Sequence, residues 1–563
     1  MPVRFPVLIA VLTALAAPVA SATEDAGAYL AARQASIDTD YREAVGYYAR
    51  ALVADPGNPV LMENLMTAQI GLGEVDNAVA VARRMLSSGA QSQLANLVLM
   101  AKAAKGNSYD RLLEDYEAGM AISPLVDGLA IAWAELGQGH MSEALAAFDA
   151  VIETDGMMAF GLFHKALALA SVGDFEGADA ILAGQDMPAL SLTRRGVIAH
   201  AAILSQLERN ADALDLIDGS FGAVTDPQLS DIRSRLADGE TLPYEAIRNA
   251  QDGLAEVFYG IAGALSGEAN QVFTLIYSRM VEYLRPDHTD AILLTSAVFE
   301  DLGQFELATE SYSRISKDHP SFYVAEIGRA EAMRQTGDVE GAIDVLTALG
   351  RSHAEIPTVH ITLGDFLRRE ERYADATPAY TRAIDLFPEP DATQWITYFA
   401  RGITYERTDR WPEAEADLRK ALELNPDQPQ VLNYLGYSFV EMQENMDEAL
   451  NMIERAVAAR PNDGYITDSL GWVLYRLGRY DEAVGHMEHA AELMPVDPIV
   501  NDHLGDVYWA VGREVEAQFQ WRRALSFDPE EDEAERIRRK LEVGLDKVLE
   551  EEGAEPLHAS EDG

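Results

Sequence analysis

The chain has 563 residues, with 93 Asp and Glu against 44 Lys and Arg, a formal charge of −49, and no cysteine. That balance repels nucleic acid and anionic membrane surfaces and attracts basic partners. Without cysteine there is no disulfide framework, thiol nucleophile, cysteine zinc site or lipidated N-terminal cysteine.

Residues 1–22 stand apart from the rest. Arg4 is their only charged side chain, Val7 to Ala17 is an apolar run of signal-peptide length, and Ala20-Ser21-Ala22 supplies the small residues of a cleavage site. The run is too short for a comfortable membrane span. The pattern predicts a signal peptide, export to a bacterial periplasm and a mature chain starting near Thr23. A retained N-terminal anchor is the alternative.

From there the sequence repeats a pair of short amphipathic helices. Ala31, Ala32, Ala35, Ala44, Tyr48, Ala51 and Pro56 mark the first repeat. Later ones carry Leu99, Leu112, Tyr116 and Pro124; Ala132, Ala144 and Phe148; Ala166, Leu169, Ala178 and Leu182; and Ala201, Leu204, Ala213 and Ile217. Over 219–253 the period is lost, and Gly219, Gly222, Gly239 and Leu242-Pro243 supply turn chemistry. A degenerate repeat or linker is predicted there, between an N-terminal array over 23–218 and a C-terminal array over 254–530.

The period resumes with Ala308, Tyr312 and Pro320, then Ala330 and Ala342, then Gly364, Ala376, Tyr380, Ala383 and Pro388. From Gly364 to Gly402 the step is 38, so four extra residues within 389–394 should bulge from one edge. Beyond Pro529 an acidic linker leads to a last helix over 531–551. Its stripe is Ile537, Leu541, Leu545, Val548 and Leu549, with Arg536, Arg538, Arg539 and Lys540 elsewhere, which predicts a cap on the open end of the array. Residues 552–563 are predicted to be disordered.

Three columns keep one period near the C-terminus. Gly402, Gly436, Gly471 and Gly505 are 34, 35 and 34 apart, and Ala414, Ala449, Ala483 and Ala517 follow at 35, 34 and 34. Pro426, Pro461, Pro495 and Pro529 do the same. Leu470-Gly471, Leu504-Gly505-x2-Tyr508, Ala517-x3-Trp521, Ala524 and Pro529 resemble the tetratricopeptide repeat place by place. The resemblance implies an all-α chain, an α-solenoid superhelix of about fourteen helix-turn-helix repeats in two arrays with a C-terminal capping helix. It also implies a non-catalytic scaffold that binds protein or peptide segments.

In that fold positions 2, 5, 9 and 12 of each first helix face a concave groove. Over the three best repeats they give Tyr465 and Ile499; Asn433, Asp468 and Asp502; Tyr437, Trp472 and Asp506; and Val440, Tyr475 and Trp509. The predicted partner-binding groove is therefore Asn433, Tyr437, Tyr465, Asp468, Trp472, Tyr475, Asp502, Asp506 and Trp509. Rings would anchor a partner segment and carboxylates would pair with its Lys or Arg. The competing reading buries the rings against one another or under the capping helix. The same stripe in the N-terminal array is mostly apolar: Leu94, Leu97, Val126, Leu129, Trp133, Phe160 and Phe163. Misread registers or packing of that half on itself explain it, and dimerisation or an incoming apolar segment are the alternatives.

No G-x-S-x-G, phosphate loop, H-E-x-x-H or calcium loop occurs, and no cofactor is implied. His486 and His489 are spaced to share a metal, yet they flank the packing residues Met487 and Ala490, so no metal role is assigned. The segments Leu432–Tyr437, Asp468–Trp472 and His503–Trp509 look like the C-terminal repeats of large exported bacterial adaptors, some of which activate C-terminal processing proteases. The predicted function is a periplasmic interaction scaffold of that kind. The alternative is a structural subunit of an envelope or secretion assembly.

Overall fold

The computed structural model describes residues 20–184, 190–222, 227–267, 270–389 and 391–558. The predicted leader, except Ala20 to Ala22, lies outside these residues, as do Pro390 and 559–563. Among the described residues every regular element is helical.

Two units divide at Val345 and Leu346. The first carries α1 (Ala20–Ile37), α2 (Tyr41–Ala54), α3 (Pro59–Gly71), α4 (Val75–Ser87), α5 (Gln93–Lys105), α6 (Tyr109–Glu117), α7 (Pro124–Gly137), α8 (Met141–Ile152), α9 (Met158–Ser171), α10 (Phe175–Leu182), α11 (Arg194–Gln206), α12 (Asn210–Phe221), α13 (Pro227–Ala237), α14 (Ala250–Leu265), α15 (Gln271–Leu284), α16 (Thr289–Asp301), α17 (Phe305–Tyr312) and α18 (Phe322–Gln335). The division falls within α19 (Val339–Ser352). The second unit carries α20 (Pro357–Arg369), α21 (Tyr373–Asp385), α22 (Trp395–Glu406), α23 (Trp411–Leu424), α24 (Pro429–Met442), α25 (Met446–Ala459), α26 (Gly464–Arg476), α27 (Tyr480–Leu493), α28 (Pro498–Ala510), α29 (Glu514–Leu525), α30 (Glu531–Val543) and α31 (Leu545–Glu551). Among the described residues α1–α12, α14–α17 and α20–α29 pack as thirteen successive pairs, and α30 and α31 pack on each other after the last of them.

Local chemistry sets the helix starts. Asn58, Ser123 and Asp497 accept hydrogen bonds from the first-turn amides of α3, α7 and α28, each followed by a proline at the first helical position. Between paired helices, Gly478 and Gly512 adopt φ of +74° and +77°, which costs glycine nothing and other residues strain. The glycine column marks the contact between partners. A Cβ on Gly436 would meet Ile453 Cγ1 at 2.9 Å and one on Gly364 would meet the Tyr380 ring at 2.7 Å. On Gly471 and Gly505 it would overlap Met487 and Trp521. The alanine column at 414, 449, 483 and 517 is fully buried on the facing helices. Close backbone approach therefore fixes the repeat.

The four-residue excess before α22 becomes a single 3-10 turn at Ala392–Gln394. Asp391 accepts from Thr393 N at 2.7 Å, and Gln394 returns a bond to the Asp391 amide.

The structure moves the expected boundary. Residues 219–253, of which 223–226 lie outside the described residues, hold the lone helix α13, whose Leu229, Ile232 and Leu236 pack on Ile217 and Leu242. The chain does not start a separate array after it. Instead α14 packs on α7 and α9, and α15 on α3 and α5. Gly253 lies so close to the buried Trp133 that a Cβ would overlap the indole. Arg279 donates to Gly71 O at 3.1 Å and stacks its guanidinium over Phe299, while Gln304 donates to Asp38 O at 3.2 Å. The apolar stripe Leu97, Val126, Leu129 and Trp133 is thus covered by the chain's own helices.

The C-terminal end also departs from the prediction. The cap is two helices, because Gly544 turns the chain at φ +83° against Trp509. Residues 552–558 are placed against it rather than loose: Asp546 accepts from Leu557 N at 2.6 Å and His558 N at 3.0 Å, and Leu557 joins the apolar cluster.

Candidate functional site: the groove of the second unit

The predicted groove splits into a sealed end and an open stretch. At the sealed end Trp472 stacks on His503 with ring centroids 3.9 Å apart and on Tyr475 at 4.8 Å, and its Nε1 donates to Glu441 at 2.8 Å. Both rings are buried. Trp509 donates to Asp546 at 2.9 Å and lies 5.5 Å from the Trp521 ring. Asp502 and Asp506 are taken by Lys540 of α30, whose Nζ lies 2.7 Å from Asp502 and 2.7 and 2.8 Å from the two oxygens of Asp506. Trp521 adds a donor to Asp506 at 2.9 Å. Lys540 is 0% exposed, so a buried ammonium is matched by two carboxylates.

Trp472, Tyr475 and Asp506 are therefore interior groups, and the half-buried Asp502 and Trp509 are engaged by Lys540 and Asp546. The reason is physical: in the last two repeats the stripe is covered by what comes next. His503 of α28 covers Trp472, and α30 and α31 cover the last repeat.

Electrostatics inside the sealed end are consistent with this. Burial disfavours the His503 imidazolium, but the Asp468 carboxylate at 3.0 Å, with Asp502 and Asp506 behind it, outweighs burial and holds its pKa above the ordinary histidine range. Burial raises the Asp502 carboxyl, which Lys540 opposes and Asp506 reinforces.

One repeat earlier the same stripe opens onto a cleft of about 680 Å³ between α22, α24, α26 and the start of α28. Asn433, Tyr437, Tyr465 and Asp468 line it, so these four predicted residues do meet at a surface. Tyr465 is 60% exposed and its hydroxyl donates to Asp497 at 3.3 Å. Tyr434 donates to Glu406 at 3.0 Å. Burial, reinforced by Glu441 and Asp468, pushes the Tyr437 hydroxyl pKa far up, so it stays a neutral donor. Asn433 Oδ1 is buried with no hydrogen-bond partner.

The sequence reading missed Glu406, Trp411, Tyr434, Glu441 and Asp497, which also line the cleft. They come from helix ends, a cap and neighbouring faces, outside the four stripe positions. The spacing of Tyr437 and Glu441, one turn apart, is the signal that could have added Glu441. Among the described lining residues five carboxylates stand against one guanidinium, Arg407, itself 3.5 Å from Glu406. The cleft is rich in acceptors and rings and poor in cations. Among the described residues no group of three or more His, Asp or Glu could hold a metal ion, and no helix is long and apolar enough to cross a membrane.

Sequence models of the tetratricopeptide repeat match residues 355–427, 399–464 and 441–498. The curated TPR repeat-containing protein PA4667 of Pseudomonas aeruginosa is 25% identical over 176 residues, 31% of this chain and 28% of that relative, so the match spans little more than a quarter of its length. Similar solved structures include the APC/C hetero-tetramer Cut9-Hcn1, at 16% identity over 92% of this chain and 96% of that one with a TM-score of 0.37. A tetratricopeptide repeat protein from Parabacteroides merdae is 18% identical over 46% of this chain and 98% of that one, with a TM-score of 0.37. MamA is 23% identical over 30% of this chain and 94% of that one, with a TM-score of 0.27.

Proposed function

We propose that this chain, which carries tetratricopeptide repeats, is a protein-interaction scaffold whose open cleft takes a Lys- or Arg-bearing segment of a partner protein. The observation that carries the reading is Lys540. Asp502 and Asp506 occupy stripe positions 5 and 9 of α28, and the same positions of α24 are Asn433 and Tyr437 in the open cleft. The chain's own ammonium on this face of α28 supports reading the face as one that accepts a cation. In the cleft Arg407 lies near Glu406 alone, while Glu441, Asp497 and the unpartnered Asn433 Oδ1 offer acceptors and Tyr465 offers an exposed ring.

The reading includes export to a bacterial periplasm, supported by the apolar run Val7 to Ala17 and the small residues Ala20 to Ala22. Its narrower form is an adaptor for an envelope protease, supported by the look of the segments at 432–437, 468–472 and 503–509. Nothing in the cleft assembles a nucleophile with a base, so the scaffold is proposed to be non-catalytic.

The test uses two synthetic decapeptides of equal length and aromatic content, one with four Lys and one with four Glu, titrated by fluorescence anisotropy. The basic peptide should bind the full chain, weaken with added salt, and lose about tenfold affinity with Tyr465→Ala plus Asn433→Ala. Equal binding of both peptides, or an unchanged affinity in the double variant, rejects the cleft. Tyr465 is exposed, so its loss should leave the thermal midpoint in place.

A further inference from the structure

In the first unit α14 packs on α7 and α9, and beside it the groove is not filled. A cavity of about 600 Å³ lies where α9, α11, α14 and the start of α16 meet, within the size range of preformed small-molecule sites. Phe160 and Phe163 of α9 and Leu192 before α11 form apolar walls. On α14 the facing positions are Glu256, Gly260 and Gly263, one stripe at i, i+4 and i+7.

Those two glycines are unlike Gly253 on the same helix. Gly253 is required because Trp133 leaves no room for a Cβ, whereas a Cβ added to Gly260 or Gly263 meets nothing within 4 Å. Neither has a positive φ. Mid-helix glycine weakens a helix relative to alanine, and here no packing compensates for it. What the two glycines do achieve is an unfilled face.

The polar floor is built and mostly satisfied. Arg195 Nε lies 3.0 and 2.9 Å from the two oxygens of Glu256, and Nη1 donates to Asp290 at 3.0 Å. Two donors remain. Arg195 Nη2 is buried with no partner. His164, 2% exposed, receives the Trp133 Nε1 proton at Nδ1 over 3.2 Å, so its Nε2 carries the hydrogen, and that hydrogen has no acceptor among the described residues. Burial, opposed by the charge of Glu256, lowers the imidazole pKa to about 4, which keeps the ring neutral at pH 7. Glu256 gives both oxygens and Asp290 one oxygen to Arg195, which leaves Arg195 Nη2 and His164 Nε2 as the unpartnered donors of the floor.

We propose that this cavity binds a small molecule with an apolar body and an oxygen-acceptor head group, a medium-chain carboxylate in its simplest form. The body lies along Phe160, Phe163 and the bare stripe of α14. The head accepts from His164 Nε2 and Arg195. The preference is the reverse of that in the second unit, where acceptors await a cation.

The experiment uses the full chain and the neutral fluorescent probe N-phenyl-1-naphthylamine. Wild type should bind it saturably, and decanoate should displace it at least tenfold better than decyltrimethylammonium, which has the same body and the opposite head. Gly260→Leu and Gly263→Leu should each lower probe affinity at least tenfold with the thermal midpoint unchanged or raised, since a Cβ at either position meets nothing within 4 Å. No saturable binding, or equal binding by wild type and both variants, overturns the site. Displacement by the ammonium as strong as by decanoate overturns the head-group assignment.

Discussion

The two units take one repeat geometry and use its inner stripe in opposite ways. In the first, the stripe is apolar and α14 and α15 lie on it, so most of the groove is core. In the second, the stripe is aromatic and acidic; α30 closes its far end through Lys540 while the stretch at Asn433, Tyr437 and Tyr465 stays open. A solenoid groove is thus a vacancy that the chain either fills or leaves, and the residue types along it record which. Apolar stripes go to the chain's own helices. Acids and rings are compatible with either outcome, and the arrival of a cation decides.

The largest effect expected is from removing that cation. Lys540→Met should cost the second unit about 3–5 kcal/mol, because Asp502 and Asp506 are left buried and facing one another. Urea unfolding followed by circular dichroism measures it. The deficit should shrink as pH falls, since the Asp502 carboxyl, already raised by burial, then protonates. Adding Asp502→Asn to Lys540→Met should recover part of the loss. An unchanged unfolding curve in Lys540→Met would mean that the sealed end is no more closed than the cleft.

In the first unit the matching perturbation is steric. Gly253→Ala drives a methyl into Trp133, an overpacking that costs roughly 1–3 kcal/mol. The loss should appear in the transition of the first unit and spare peptide binding in the second. Gly260→Ala on the same helix is the control: with open space around it, it should stabilise by up to about 1 kcal/mol. If both alanines behaved alike, α14 would not be pressed into the groove as described.

The contrast also explains what the sequence made legible. The glycine, alanine and proline columns are imposed by contact between partner helices, a constraint inside each repeat, so they report the fold directly. The mostly apolar stripe from Leu94 to Phe163 could be read as covered, because exposed aliphatic rows are costly. Its cover could not be placed, since α14 lies more than a hundred residues beyond α7. For Trp472 and Trp509 the stripe left two readings open, a partner surface or rings packed against one another and under the cap, and the structure packs them. Their covers, His503 and the α30–α31 pair, carry no periodic mark that says which way they fold. Lys540 sits off the apolar stripe of its helix and reads as a solvated charge, although it is the most buried lysine side chain among the paired ones. Gly544 is a lone glycine inside an amphipathic pattern, a break that the reading of one helix over 531–551 passed over.

The smallest effect separates the units by pH. Glu300, in α16, has its pKa raised to about 7 by burial, against a hydrogen bond from Tyr312 and reinforced by Glu331 and Asp301. A raised carboxyl gives stability that is full below its unfolded value near 4.5 and is lost as pH climbs through about 7. His503, also raised, gives stability that is full below about 6.5 and is lost only at higher pH, as the proton shared with Asp468 leaves. From pH 5 to 6.5 the first unit should therefore weaken while the His503 contribution holds, and above that the second should follow. Each unit of pKa displacement corresponds to about 1.4 kcal/mol, reduced for Glu300 by its partial exposure. Midpoints measured from pH 5 to 8 should flatten below 7 in Glu300→Gln and above 6.5 in His503→Gln. If either substitution flattened the other's window, the acid cage around His503 would not be isolated from solvent in the way that its stacking on Trp472 and its bond to Asp468 require.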